Sequence, residues 1–177
     1  MMNFPFQVLF HILNNEQVLL KRTDQKASTL MSTLGIFMVF FIVHYKNIPT
    51  TIPILIMIYL YFASAFITIL ALLRVLTPRL KNLVIPDGAV KQMPNPTYFA
   101  GISQFGSPEA YRTQLLDYTR DEQRTFDLFA DNLYAVGQIN AQKLKFFNLG
   151  MKAFASALFC ELVIIVSMYI TTLKIGI

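Results

Sequence analysis

Three apolar runs dominate this sequence, and each is long enough to cross a lipid bilayer. They cover residues 28–45, 52–73 and 152–173. A spanning helix needs ~20 mainly apolar residues, because the hydrocarbon core must be crossed with every backbone group bonded inside the helix. The hydrophobic content of 55% and the mean hydropathy of +0.50 agree with this interpretation. The sequence therefore predicts an all-α membrane protein with three spans.

The first two runs are separated by a short segment that contains Pro49 and Pro53. Proline breaks a helix and allows a tight reversal of the chain, so spans one and two are expected to form a transmembrane hairpin. The N-terminal segment does not resemble a secretory signal, because it lacks a basic region and its first lysine is Lys21. We expect it to stay on the mature protein.

The distribution of lysine and arginine predicts the orientation. Lys21, Arg22 and Lys26 precede span one, whereas Lys46 alone lies in the first reversal and Lys174 alone follows span three. Because basic loops remain on the cytosolic side, the N terminus and residues 77–150 are expected in the cytosol, with the protein in the cell inner membrane. The three basic residues before span one also anchor it at anionic lipid, where each is worth roughly 1 kcal/mol.

Five segments follow from these patterns. The N-terminal cytosolic helix (1–27) leads into the hairpin (28–76), which is followed by a proline-rich and glycine-rich cytosolic loop (77–106), a long cytosolic helix (107–150) and the third span (151–177). Within the loop, residues 98–105 are expected to form a short helix or strand. The loop is too apolar to be a disordered linker, so it should pack against another part of the protein.

The long cytosolic helix has a clear start at Ser107, which can cap it, with Pro108 at the first helical position and Glu109 in the first turn. No proline intervenes before span three, so we expect one helix to continue into the membrane. An apolar stripe on this helix includes Leu115, Phe129 and Leu133. The alternating charges around it, among them Arg112, are typical of a solvated face.

No pattern of catalytic or metal-binding residues is present. His11 and His44 are far apart, Cys160 is the only cysteine, and the sequence has no nucleophile elbow, glycine-rich phosphate loop or HExxH helix. We therefore expect neither enzyme activity nor a bound metal or cofactor.

Glu161 is an acidic residue inside the third span, where an ionised group is costly and usually faces protein or a water-filled path. One interpretation is a residue that lines or gates a pore in an oligomer. The alternative is a neutral carboxyl group that is hydrogen-bonded to Ser64, Thr68 or Ser156, or that reaches water at the inner interface.

Asp24 is the unexpected member of the charged group before span one. A carboxylate near anionic headgroups is unfavourable unless it pairs with a protein cation or caps another group. Asp24 therefore has two open interpretations, a structural ion pair and a ligand-binding residue.

Two short stretches, 19–37 and 95–105, taken with Lys143 and the span after it, resemble the Pycsar effector family of bacterial membrane proteins. In that family an Asp-x-Lys-Ala element opens the first span and an Asn-x-x-Tyr-Phe element lies in the cytosolic loop. The matching residues are Asp24, Lys26, Ala27, Asn95, Tyr98 and Phe99. The order of spans and loop is similar over nearly the whole chain.

The resemblance implies an antiphage effector that causes abortive infection. A functionally linked nucleotide cyclase makes cyclic CMP or cyclic UMP during infection, and the effector senses it in the cytosol and disrupts the membrane as a homo-oligomer. The chain has no separate sensor domain, so we expect sensing within residues 77–150 and the N-terminal helix. The expected nucleotide-binding residues are Asp24, Lys26, Asn95, Tyr98, Phe99 and Arg112.

Membrane lipids and the cyclic nucleotide are thus the expected partners, and a nucleic-acid polymer is not. The alternative function is a non-enzymatic membrane docking or assembly subunit whose cytosolic helix binds another protein through its apolar stripe. A small transporter component fits less well, because the spans carry few polar residues and show no inverted repeat.

Overall fold

The computed structural model describes residues 4–77 and 99–175, and within these ranges the chain is helical and contains no strand. The helices are α1 (Phe4–His44), α2 (Ile52–Leu76), α3 (Phe99–Ile102), α4 (Pro108–Thr119) and α5 (Glu122–Ile175), with one turn of 3-10 helix at Tyr45–Asn47. Three of them, α1, α2 and α5, are long and apolar enough to cross a membrane. The predicted fold class, a membrane hairpin with a third span continuous with a long helix, is confirmed.

The chain divides into two compact units. The first unit comprises Met1–Leu20 and Pro78–Ala141, and the span unit comprises Lys21–Thr77 and Gln142–Ile177. Helices α1 and α5 contribute residues to both units, whereas α2 belongs to the span unit alone.

The hairpin between α1 and α2 forms as the two prolines predict. The 3-10 turn ends at Asn47, Pro49 follows it, and α2 begins at Ile52 with Pro53 in its first turn. Proline is tolerated there because the first N–H groups of a helix have no partner inside the helix. The Thr51 carbonyl accepts the first bond from the Leu55 N–H, at 3.0 Å.

The long helix expected from Ser107 into span three is interrupted once. Its start is as predicted, since the Ser107 hydroxyl accepts a hydrogen bond from the Ala110 N–H at 3.2 Å, but α4 ends at Thr119 and α5 begins at Glu122. The cause is Asp121, whose carboxylate accepts bonds from the N–H groups of Gln123 and Arg124. Asp121 thus caps a new helix, which then continues without a break through span three.

In the span unit the buried residues recur at every seventh position, so the three helices pack in layers. On α1 these residues are Ala27, Leu34 and Phe41. Each belongs to a different buried cluster with residues of α2 and α5: Ala27 with Leu72, Val75 and Phe147, Leu34 with Ala65 and Phe154, and Phe41 with Tyr61, Ala157, Cys160 and Ile164. A seven-residue period is typical of helices that pack with a left-handed crossing.

Gly150 brings α5 close to α2 near the C-terminal end of α2. A Cβ atom placed on Gly150 would lie 2.9 Å from the Leu72 Cδ2 atom and 3.4 Å from the Ala71 Cβ atom. Lipid tails are as apolar as leucine, so spanning helices associate by close packing rather than by the hydrophobic effect. The glycine therefore allows close packing here, and a larger residue would require the Leu72 side chain to move.

Candidate functional site

Asp24 forms an ion pair with Lys143 inside the span unit. The Lys143 ammonium donates to both carboxylate oxygens of Asp24, at 2.6 and 2.9 Å. The lysine side chain is 11% exposed and the aspartate side chain 33% exposed. Such charge-assisted bonds are among the stronger hydrogen bonds in proteins. The structure thus gives Asp24 the protein cation that its position before span one requires.

The surroundings of this pair are strongly basic. In the sequence of the span unit, two carboxylates, Asp24 and Glu161, stand against nine cationic side chains. These are Lys21, Arg22, Lys26, Lys46, Arg74, Lys143, Lys145, Lys152 and Lys174. Arg74 lies over the ring of Phe146, with its guanidinium carbon 5.3 Å from the ring centre, which is a cation–π contact. Among the described residues, Lys143 is the only cation of this unit within 4.0 Å of a carboxylate.

Glu161 lies deep among the three spans. It follows Phe154 by seven residues on α5, so it occupies a core position of the layered packing, and it is 2% exposed. Neither of its carboxylate oxygens has a hydrogen-bond partner among the described residues. A buried carboxyl group without partners is among the least favourable arrangements in a protein interior.

The hydrogen-bonded interpretation of Glu161 is wrong, because neither carboxylate oxygen has a partner among the described residues, and the Ser64 and Thr68 hydroxyl groups donate to other acceptors. The Ser64 hydroxyl donates to the Ser156 hydroxyl at 3.3 Å, and the Thr68 hydroxyl donates to the Ser64 carbonyl oxygen at 2.8 Å. Tyr61 is completely buried near Glu161, and its hydroxyl also has no partner in the described part of the chain. Two unsatisfied polar groups therefore lie in the same region of the span unit.

The other predicted nucleotide-binding residues are more dispersed. Lys26 is exposed on α1, and because it follows Asp24 by two residues the two side chains leave the helix about 160° apart. Arg112 is exposed on α4 in the first unit, and Phe99 begins α3. Asn95 and Tyr98 lie outside the described residues. The structure brings Asp24 together with Lys143 and not with Lys26.

The first unit has its own polar contact between α1 and α5. The Asn140 amide donates to the backbone carbonyl of Glu16 at 2.9 Å and to the Glu16 carboxylate. Several turns away on the same helices, the rings of Phe6 and Phe126 meet edge to face with centres 6.3 Å apart. Asn140 is buried, and a buried polar residue at a helix seam can fix the register of the two helices.

Helix α4 borders a groove of about 530 Å³, lined by Ala110, Thr113, Gln114, Leu116, Asp117 and Arg120. The Gln114 amide nitrogen has no hydrogen-bond partner among the described residues. Arg112, the predicted ligand residue of this helix, is not in the lining. Leu115, Phe129 and Leu133, on which the docking alternative depends, are each half-buried within the protein.

Sequence reasoning missed two residues of these sites. Lys143 contributed only to the family resemblance, and Tyr61 was not considered. A seven-residue register finds both, since Lys143 precedes the buried Gly150 by seven positions and Tyr61 lies between Ile54 and Thr68, which are buried on α2. The signal in the sequence was therefore a lysine and a tyrosine at positions where the seven-residue spacing predicts buried residues.

Comparison with known proteins adds a family match. A family model described as Pycsar effector protein domain matches residues 8–171. This range covers all three candidate spans in large part and includes Asp24, Tyr61, Lys143 and Glu161. No curated protein and no solved structure gives a significant match to the chain.

Proposed function

The chain belongs to the Pycsar effector family, and we propose that this antiphage effector senses cyclic CMP or cyclic UMP in the cytosol and then disrupts the inner membrane. The infected cell stops growing before the phage is released, which is abortive infection. The nucleotide is supplied by a functionally linked cyclase. Membrane disruption is carried out by a homo-oligomer of the three-span chain.

The observation that carries the membrane step is Glu161. In the arrangement described above, its carboxylate oxygens are buried without partners among the three spans. A rearrangement that lets water reach them relieves this cost, because hydration satisfies a carboxylate fully. The single chain therefore carries a built-in preference for a wetter, more open arrangement. In that arrangement Glu161 lines the path by which ions leave the cell.

The sensing step needs cations and aromatic rings, and the sequence supplies them before span one and within residues 77–150. A cyclic nucleotide offers one phosphate charge and one base, so its site needs at least one cation and an aromatic or hydrogen-bonding surface. We keep Lys26, Asn95, Tyr98, Phe99 and Arg112 as the proposed ligand contacts, and Asp24 takes part through its ion pair with Lys143. The ligand can shift the protein to the open state only if it binds that state more tightly than the closed one.

The proposed orientation follows from the same charges. Lys21, Arg22 and Lys26 before span one face the cytosol, where anionic lipid headgroups attract them. The described part of the first unit then lies in the cytosol, where the nucleotide is made. Protease protection in right-side-out and inverted membrane vesicles tests this placement.

Dye leakage from liposomes tests the function directly. The purified full-length protein is inserted into liposomes and titrated with cyclic CMP, cyclic UMP and a panel of cyclic dinucleotides and trinucleotides. We expect leakage with a cyclic pyrimidine mononucleotide and a loss of at least about 100-fold in the leakage rate for Glu161→Leu, because leucine has no polar group whose burial hydration would relieve. Thr171→Val is the matched control, since the Thr171 hydroxyl on the same helix bonds to the Ser167 carbonyl oxygen of its own helix.

Folded and inserted protein that leaks with none of these nucleotides would exclude the sensing function. The docking alternative then becomes the better account, and it makes a different prediction. A docking subunit is harmless by itself, and its binding is sensitive to Leu115→Ala, Phe129→Ala and Leu133→Ala.

A further inference from the structure

The ion pair between Asp24 and Lys143 is unequally buried. Lys143 is 11% exposed and bonds both oxygens of Asp24, whereas a third of the Asp24 side chain is open to solvent. The lysine is therefore the fixed member of the pair. The carboxylate is the member that solvent, or an anion dissolved in it, can reach and displace.

The charge balance of the span unit favours an additional anion near this pair. Lys21 lies one helical turn before Asp24 on α1, and Phe146, which carries Arg74 over its ring, lies one turn after Lys143 on α5. Both Lys21 and Arg74 are exposed and have no carboxylate within 4.0 Å among the described residues. An anion that approaches the pair thus meets further positive charge instead of repulsion.

We propose that Lys143 is a phosphate-binding residue and that Asp24 is an internal carboxylate that occupies it until a phosphodiester takes its place. The proposal rests on the proposed function for the identity of the phosphodiester, which is that of a cyclic nucleotide. Lysine is a common phosphate ligand that acts as a point charge. A phosphodiester and a carboxylate each carry one negative charge, so the exchange leaves Lys143 paired, and the Asp24 carboxylate that it releases is hydrated by solvent.

The exchange changes what holds α1 to α5 at this level of the span unit. With Asp24 bonded to Lys143, a charge-assisted contact joins the two helices directly. With a phosphodiester on Lys143, Asp24 turns to solvent and that contact is gone. The same residue pair thereby links ligand binding to the packing of spans one and three, as a ligand-driven shift between two states requires.

Opposite effects of the two partner residues on binding test the proposal. Binding of cyclic CMP, cyclic UMP and inorganic phosphate to the full chain in detergent is measured by calorimetry. Because an internal competitor lowers the apparent affinity, Asp24→Asn is expected to bind at least ~10-fold more tightly than the natural protein. Lys143→Met is expected to bind at least ~10-fold more weakly, since the charge-assisted bond is lost.

Two variants control for the loss of a charge elsewhere on α5. Lys145→Met removes an exposed lysine two residues away on the same helix, and Asp127→Asn neutralises an exposed carboxylate of α5. Both should bind as the natural protein does. Circular dichroism and elution as a single species confirm the fold of each variant, and Lys143→Gln replaces Lys143→Met if the latter does not fold.

The pattern of binding separates the site from the function. If Asp24→Asn and Lys143→Met weaken binding alike, or if neither changes it, the pair is structural and the proposal is wrong, even where nucleotide still causes leakage. If inorganic phosphate shows the opposite effects but neither nucleotide binds, the phosphate site stands and nucleotide sensing is excluded. If Asp24→Asn binds none of the three probes, the proposal is also overturned.

A lipid headgroup offers the same phosphodiester chemistry and is the other possible source. The binding measurement on Asp24→Asn is therefore repeated in vesicles of phosphatidylcholine alone and with added phosphatidylglycerol. Binding that is unaffected by phosphatidylglycerol supports the nucleotide as occupant. Loss of binding on its addition, with Lys143→Met again inactive, assigns Lys143 to lipid and overturns the nucleotide as its ligand.

Discussion

The two carboxylates of the span unit, Asp24 and Glu161, have opposite surroundings. Asp24, at the N-terminal end of span one, is paired with a cation through both of its oxygens. Glu161, among the spans, is more deeply buried and has no partner within the described residues. The carboxylate at one end of the bundle is thus paired with a cation, whereas the carboxyl group in its interior has no hydrogen-bond partner among the described residues.

This difference assigns different tasks to the two regions. A paired charge at a helix contact favours one arrangement of the helices, because breaking it leaves an unpaired charge behind. A buried carboxyl group without a hydrogen-bond partner favours any other arrangement that supplies water or a hydrogen bond. We infer that the Asp24–Lys143 pair stabilises the arrangement of helices described above and that the buried Glu161 lowers the cost of leaving it.

The largest expected effect on the free energy of unfolding comes from breaking the ion pair between Asp24 and Lys143. Asp24→Asn leaves Lys143 nearly buried without its counter-charge and should lower the free energy of unfolding by about 2–3 kcal/mol, less than for a fully buried pair because Asp24 is partly exposed. Equilibrium unfolding in mixed micelles, without nucleotide, measures this. An unchanged free energy would mean that the pair does not stabilise the closed state.

The complementary change removes the buried carboxyl group of Glu161, which has no hydrogen-bond partner among the described residues. Glu161→Leu, which is close in size and needs no hydrogen bond, should raise the free energy of unfolding by about 2 kcal/mol. The same variant should lose nucleotide-dependent leakage, because the preference for an open arrangement is gone. A destabilised Glu161→Leu protein would show that the carboxyl has a stabilising partner, contrary to the comparison.

A smaller effect is expected at Tyr61. Its ring is stacked on Phe41, with centres 5.3 Å apart, but its hydroxyl is buried without a partner among the described residues. Tyr61→Phe keeps the ring and removes the hydroxyl, so the free energy of unfolding should rise by about 1 kcal/mol. A decrease in the same unfolding measurement would reveal a hydrogen bond to this hydroxyl.

The smallest effect sets the baseline for exposed charge. Arg124 and Asp117 lie 3.7 Å apart in the first unit with side chains 62% and 68% exposed. Asp117→Asn should change the free energy of unfolding by less than about 0.5 kcal/mol, because exposed ion pairs contribute little. A change as large as that of Asp24→Asn would mean that burial is not what distinguishes the Asp24 pair.

The spans, the hairpin and the long helices were predictable because their signals are local. Apolar length identifies a span, Pro49 and Pro53 mark the reversal, and Ser107 with Pro108 marks a helix start. The break before Glu122 was also encoded locally, in Asp121. It was missed because an aspartate among alternating charges looks the same on a solvated helix face as at a cap.

The candidate sites were predicted only in part, because they depend on residues that are distant in sequence. Asp24 attracted attention by its position, but its partner lies 119 residues away. Glu161 was recognised as costly, yet its lack of partners depends on where Ser64, Thr68 and Ser156 direct their hydroxyl groups. Such a property follows from the whole packing arrangement and from no single stretch of the chain.

The unbroken helix of α1 has a mechanical consequence for span one. From Asp24 to His44 it contains no proline, and this length of helix is about 30 Å, the thickness of a bilayer core. A hinge needs residues that absorb a change in backbone angles, and an intact ladder of helical bonds offers none. A rotation of the helix at Asp24 therefore moves the whole segment to His44 as a rigid body. A change at one end of span one is thus transmitted to its other end.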